Sequence, residues 1–365
     1  MFSPMQANMN GGYRTIALSL CSMAFVMLGF VTPLRAQFSF QENFSTTEAP
    51  GWQLVQGDTS PGPRLTADSD ALSQDPETNG LPLDTDGQGW LRMATRTGNQ
   101  ANSAWLDTPI PAAGNNITAS FDFTIWDRSG GTGADGLTFF MYDAASTFGA
   151  GGNGGSLGYA NKNGGPGLNG GYLGLGLDVF GNFSNPTEGR NGGVGRRPNE
   201  VVLRGPGSGV TGYDYLAGTD GTNTTQAGNP AINNVETLLG LTSNPLAYEG
   251  QNFRPDQDAE QYRFVEIELT DTDELIVRMR AGFGEPLVEL FTADVSSFAR
   301  PDLLRIGFTG GTGGVNQVYE VRNLQVETTG TSSTWYWTDA TSDLWSANGN
   351  WDPASQPADH SDVVF

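Results

Sequence analysis

Histidine is almost missing from this 365-residue chain: the only one, His360, stands near the end. That excludes Ser-His-Asp and Cys-His catalysis and zinc sites of the usual His/Cys type. Cysteine is equally scarce. Cys21, the only one, lies inside an apolar run close to the N-terminus, so a chain processed beyond it has no disulfide and depends on core burial, with bound metal as a second source of stability. Basic residues are few, 18 Lys and Arg against 40 Asp and Glu, for a formal net charge of −22. The acids are scattered rather than blocked, a surface that disfavours nucleic acid and anionic membrane and tolerates divalent cations. Beyond the leader, long amphipathic helical runs are absent too. Carboxylate chemistry is the one enzymatic option left.

What is abundant is glycine and the strand formers. With 51 Gly and 20 Pro between short apolar runs, the composition predicts an all-β sandwich or barrel with long loops. The N-terminus reads as an export signal. Arg14 precedes the apolar run Thr15–Val31, and Leu34-Arg35-Ala36 offers a small residue before a cut at Gln37. Pro33 closes a run too short to span a membrane. Leu20 precedes Cys21 where a lipoprotein signal wants a small residue. Residues 1–36 are therefore expected to be a signal peptide, and the mature protein to be secreted or at the cell surface.

Strands are predicted at Phe38–Phe44, Trp52–Val55, Gly89–Met93, Ala104–Leu106, Leu137–Tyr142, Glu200–Arg204, Leu304–Phe308 and Val318–Val326. ITASFDFTIW, Ile117–Trp126, alternates as a half-buried strand should, and VEIELTDTDELIVR, Val265–Arg278, reads as a hairpin. Gly205–Phe253 reads as a long polar excursion. At the centre stands GYLGLGLDVFGNFSN, Gly171–Asn185, a strand running into a polar loop. Asp178, Asn182 and Asn185 offer side-chain oxygens there and Phe180 a carbonyl, the ligand types of a hard cation such as Ca²⁺; an Asx-rich turn is the plainer reading. Two further segments belong with it. Ala134-Asp135-Gly136 presents one carboxylate at the entry of an apolar strand. The Gly-rich Gly149–Gly171, containing GGSLGYA, offers backbone N–H groups to a ligand.

These motifs, in this order, resemble the L-type (legume-like) lectins, closest to a secreted bacterial branch with GGSLGYA, GGYLG-x-G-x-D and GNFSNPTEGR in much this form. The resemblance covers residues 37–327 and implies an all-β, concanavalin A-like jelly-roll sandwich of two antiparallel sheets with long glycine-rich loops. It implies that Asp135, after a cis peptide bond to Ala134, accepts sugar hydroxyls, and that the Gly155 N–H reaches a sugar oxygen. Asp178, the Phe180 carbonyl and Asn182 match Ca²⁺ ligands, with Asn182 also touching sugar. Asn185 and Glu188 are both candidates for the last ligand. IGFTGGTGG resembles the family's last variable loop, which makes Thr312 and Gly313 candidates beside the pocket. Gly176 stands where plant members place an acid that holds a second, transition metal, so Ca²⁺ alone is expected.

The tail, 328–365, resembles the opening repeat of autotransporter-type passengers and ends on a strand, DVVF, expected to be unpaired and completed by sequence beyond it; the alternative packs Trp335, Trp337, Trp345 and Trp351 onto the sandwich. The expected function is calcium-dependent glycan binding without catalysis, adhesive in use. No nucleic acid partner is expected, and membrane attachment only through a C-terminal anchor or translocator. Phe180, Tyr159 and Phe183 are available to stack on a sugar ring. The alternatives are a jelly-roll glycoside hydrolase using Glu266 and Glu268, which alternation puts on one strand face, and a structural passenger segment that binds no sugar.

Overall fold

Alternation decides which way each long strand faces. In Asn115–Trp126, Ile117, Ala119, Phe121, Phe123 and Ile125 are all fully or almost fully buried, and in Arg263–Leu269 the residues Val265, Ile267 and Leu269 do the same between half-exposed neighbours. The computed structural model describes residues 38–68, 81–127, 133–219, 235–241, 246–247, 253–256 and 262–330, with three short strands beyond, at Trp335–Trp337, Trp351–Asp352 and Val363–Val364. The expected leader lies outside the described residues.

Two antiparallel sheets carry the fold. The first runs Val288–Asp294, Glu274–Ala281, Arg263–Leu269, Asn115–Trp126, Val318–Gly330, Leu91–Ala94, Arg64–Leu65, and Ser39–Glu42 also pairs with Val318–Gly330. The second runs Thr211–Gly212, Gly207–Ser208, Gly171–Asp178, Gly136–Asp143, Leu303–Gly311, Ala101–Leu106, Trp52–Val55, with Glu200–Arg204 also on Gly171–Asp178. Their inner faces meet at Phe121, whose ring lies 5.6 Å from Phe139 and 4.8 Å from Phe308 of the facing sheet. This is the jelly-roll sandwich expected from the sequence.

One strand explains the position of the loops. In Gly171–Asp178, Leu173, Leu175 and Leu177 enter the main core, while Gly174 and Gly176 present a side without side chains. A Cβ built on Gly174 would stand 2.5 Å from the Tyr159 ring, and one on Gly176 2.4 Å from the Phe183 ring. The glycines therefore admit aromatic rings rather than a second backbone. Tyr159 and Phe183 join Phe140, Tyr142, Leu157, Leu168 and Tyr213 in a second buried cluster, a layer of loops laid on the outside of the sheet.

Some elements depart from expectation. Val288–Asp294 and Tyr215–Gly218 are strands; the first lacks clean alternation and the second holds four residues. The excursion after Gly205 also contains a short helix, Val235–Leu239. Val318–Gly330 continues past the boundary expected at 327. In the tail the closing strand is not unpaired: Val363 and Val364 pair in parallel with Trp335 and Tyr336.

Candidate functional site

Register brings the two key acids together. Gly136 pairs with Asp178 across neighbouring strands, which sets Asp135 beside the end of Gly171–Asp178. The Ala134–Asp135 peptide bond is cis, as the resemblance implied. The Asp135 backbone is held on both sides: its N–H donates to Gly311 O at 3.0 Å, and its carbonyl accepts from Phe180 N–H at 3.1 Å. The Tyr319 hydroxyl donates to the Ala134 carbonyl. The Asp135 carboxylate faces a notch made by two glycines. A Cβ on Gly313 would come within 2.8 Å of Asp135 Oδ2, and one on Gly154 within 3.7 Å. Gly155 follows Gly154 in a short turn, Gly154–Ser156, and a Cβ there would collide with Asn182 Cβ at 2.3 Å. Asp135, Gly155, Asn182 and Gly313 thus surround one opening.

The loop after Asp178 is built on that acid. Asp178 is fully buried; Oδ1 accepts the Gly181 N–H at 2.8 Å and Oδ2 the Phe183 N–H at 2.5 Å. The carboxylate thus folds the loop around itself through N–H groups three and five residues on, and its remaining lone pairs are the ones a ligand could use. Asn185 Nδ2 donates to Asn182 Oδ1 at 3.3 Å. The Phe180 carbonyl accepts from Arg196 Nε at 3.0 Å, with the guanidinium 4.0 Å over the Phe180 ring. Glu188 faces cations, 2.9 Å from Arg190 and 3.8 Å from Lys162. Arg190 also donates to Ser156 Oγ at 2.8 Å and to the Asn185 carbonyl at 3.1 Å, tying the Gly154–Ser156 turn to the loop. Beneath lies the buried Arg204, which donates to the carbonyls of Phe183, Asn191 and Tyr213 at 2.7, 2.8 and 2.6 Å; burial pulls its pKa down to about 9.

Burial sets the state of both acids. Burial pushes the Asp135 carboxyl up to about 7, against the pull of Lys162, Arg190 and Arg196. Burial likewise pushes Asp178 up to about 7 despite its two backbone donors, and Asp135 adds to the rise. A hard cation held by Asp178, the Phe180 carbonyl, Asn182 and Asn185 would relieve both, so the donor chemistry fits Ca²⁺. Among the described residues no three of His, Cys, Asp and Glu converge as a metal cluster, so such an ion would be held mostly by neutral oxygens.

Other candidates lie elsewhere. Thr312 is buried, and its hydroxyl is committed to Thr97 O at 2.8 Å and Gln100 N–H at 2.9 Å; it fastens the loop instead of facing the notch. Tyr159 and Phe183 are fully buried and offer no ring face to a sugar. Glu266 and Glu268 belong to the first sheet, both 2.9 Å from Arg278 Nη1, an ion-paired outer face. Sequence reasoning passed over Lys162, Arg190 and Arg196. For Lys162 a signal was present, because it is the only lysine in the chain.

No family model matches the chain, and none of the curated proteins does. Among solved structures it is similar to peanut lectin with a 9mer peptide, at 14% identity and a TM-score of 0.48 over 80% of this chain and 97% of that one. It is similar to winged bean acidic lectin complexed with methyl-α-D-galactose, with the same identity and score over 80% and 98%. Lotus tetragonolobus seed lectin gives 14% and 0.48 over 80% and 99%. What the site can do is set by its own geometry.

Proposed function

We propose that this chain is a secreted, calcium-dependent carbohydrate-binding protein with no catalytic activity. One observation carries the reading: a buried carboxylate, Asp135, opens onto a notch walled by Gly154 and Gly313, next to a loop whose oxygens suit Ca²⁺. A saccharide needs directional acceptors and donors for its hydroxyls and room to approach closely. Asp135 supplies the acceptor, Asn182 and the Gly155 N–H supply polar contacts, and the glycines supply the room. Bound Ca²⁺, held by Asp178, the Phe180 carbonyl, Asn182 and Asn185, would add positive charge and fix the Asn182 side chain. Phe180, half-buried under Arg196, is the remaining aromatic candidate beside the opening. No nucleophile is activated here, and the Glu266 and Glu268 carboxylates are both tied to one guanidinium, Arg278. One such site binds modestly, so adhesion follows from several copies at a surface.

A glycan array read in calcium and again in EDTA tests this. Binding that needs calcium and disappears in Asp135→Asn supports it. A folded protein that binds no glycan in either buffer refutes it and leaves the structural-passenger reading.

A further inference from the structure

The composition of the chain makes one side chain at the notch exceptional. Of 18 basic residues 17 are arginine, and the single lysine, Lys162, stands at this opening. A point built as Cβ on Gly154 lies 3.0 Å from Lys162 Nζ, 3.7 Å from Asp135 Oδ2 and 3.9 Å from Gly313 Cα. The notch therefore has an ammonium on one wall and a carboxylate on another. Lys162 Nζ donates to Asn153 Oδ1 at 2.7 Å, whereas Glu188 Oε1 stays at 3.8 Å, beyond hydrogen-bond reach. Of the three N–H donors of an ammonium, one is thus engaged by a neutral group, and the looser ion pair is with a carboxylate that Arg190 already holds at 2.9 Å. The side chain is about a quarter exposed, open to a ligand yet held in place.

The electrostatic setting points the same way. Arg196 lies on the same loop, stacked on Phe180, and Arg190 lies behind Ser156. In a protein of net charge −22 these three cations stand around one opening beside three carboxylates, Asp135, Asp178 and Glu188, and a divalent ion in the loop would tip that balance to positive. A hydroxyl could satisfy Asp135, whereas an anionic group on the sugar would give the ammonium the hydrogen-bonded partner that Glu188, at 3.8 Å and shared with Arg190, does not supply.

Resting on the lectin reading above, we propose that the site selects anionic saccharides, with a uronate carboxylate or a sulfate ester on Lys162 and a neighbouring hydroxyl on Asp135. The test uses the full chain in calcium with three probes: an oligogalacturonate, the same oligomer with its carboxyl groups reduced to alcohols, and a sulfated oligosaccharide of equal length. The expected result is at least tenfold tighter binding of an anionic probe than of the reduced one, with the preference shrinking as salt rises. Which anionic probe binds tighter identifies the group. Lys162→Gln should erase the preference, and Lys162→Arg should keep it, because an arginine restores the charge. Equal affinity for all three probes, lost in Asp135→Asn, overturns the anionic preference and leaves the lectin standing. Binding of no saccharide, with the thermal melt unchanged, overturns both.

Discussion

Replacing Gly155 with alanine adds one methyl group, and the structure says where it goes. The new Cβ would lie 2.3 Å from Asn182 Cβ and 3.2 Å from its Cγ. Ordinary carbon contacts begin near 3.5 Å, so one of the two segments must move by about 1 Å. Neither yields easily: the turn is held by Leu157 N–H on Gly154 O at 2.9 Å and by Gly154 N–H on Thr312 O at 3.1 Å. Asn182 Cβ is fixed close to the backbone and cannot swing aside. Overpacking of this kind costs about 1–3 kcal/mol, which for a domain this large lowers Tm by a few degrees. The functional effect should be larger than that, because Asn182 is a proposed ligand of both cation and sugar, and a displacement of about 1 Å defeats a site that tolerates about 0.5 Å. Calcium-dependent glycan affinity should fall at least tenfold. Gly314→Ala is the matched control: it lies beside the same notch, with nothing within 4 Å of its built Cβ and no left-handed φ, so it should bind and melt like the parent. Calorimetry with calcium and glycan on both variants decides it. If Gly155→Ala binds calcium and sugar as the parent does, the packing of the turn on Asn182 plays no part in the site.

Arg196→Ala should tighten calcium binding several-fold at low salt, since it removes a positive charge from the Phe180 carbonyl, and the gain should vanish at high salt; unchanged affinity in a calcium titration would remove that carbonyl from the ligand set. Glu320 is fully buried against Arg92, Arg254 and the Trp126 indole, and these arginines hold its carboxyl at about 2 against an ordinary 4.5. Its folded pKa lies below the unfolded one, so the stability it gives is complete above about pH 4.5 and is lost as pH falls toward 2, about 3 kcal/mol in all. Denaturant melts from pH 6 to 2 should show that acid limb, and Glu320→Gln should be less stable at neutral pH with the limb flattened; an identical limb in the variant refutes the assignment.

The long strands were legible because alternation is a local property. Ile117–Trp126 and the Val265–Arg278 hairpin repeat hydrophobic residues on one face, and the structure buries that face. The acidic and amide residues of the candidate site stood out as motifs, Asp135 after its alanine and the Asp178-to-Asn185 loop, and the structure sets these two segments side by side. What stayed hidden depends on contacts across the fold. That Tyr159 and Phe183 are buried follows from glycines more than a dozen residues from Tyr159 in sequence, and no local pattern shows which ring lands on Gly174 or Gly176. That Thr312 is a fastener follows from Thr97 and Gln100, which only the folded chain brings near. Lys162, Arg190 and Arg196 escaped because cations on glycine-rich loops carry no periodicity.

The aromatic layer lying on the bare glycine side of Gly171–Asp178 has a consequence for assembly. The loops that frame the opening rest on their own greasy floor, with Arg204 clasping carbonyls from below. Because these contacts are made by the chain itself, chelation is expected to loosen the grip on a guest without dismantling the doorway.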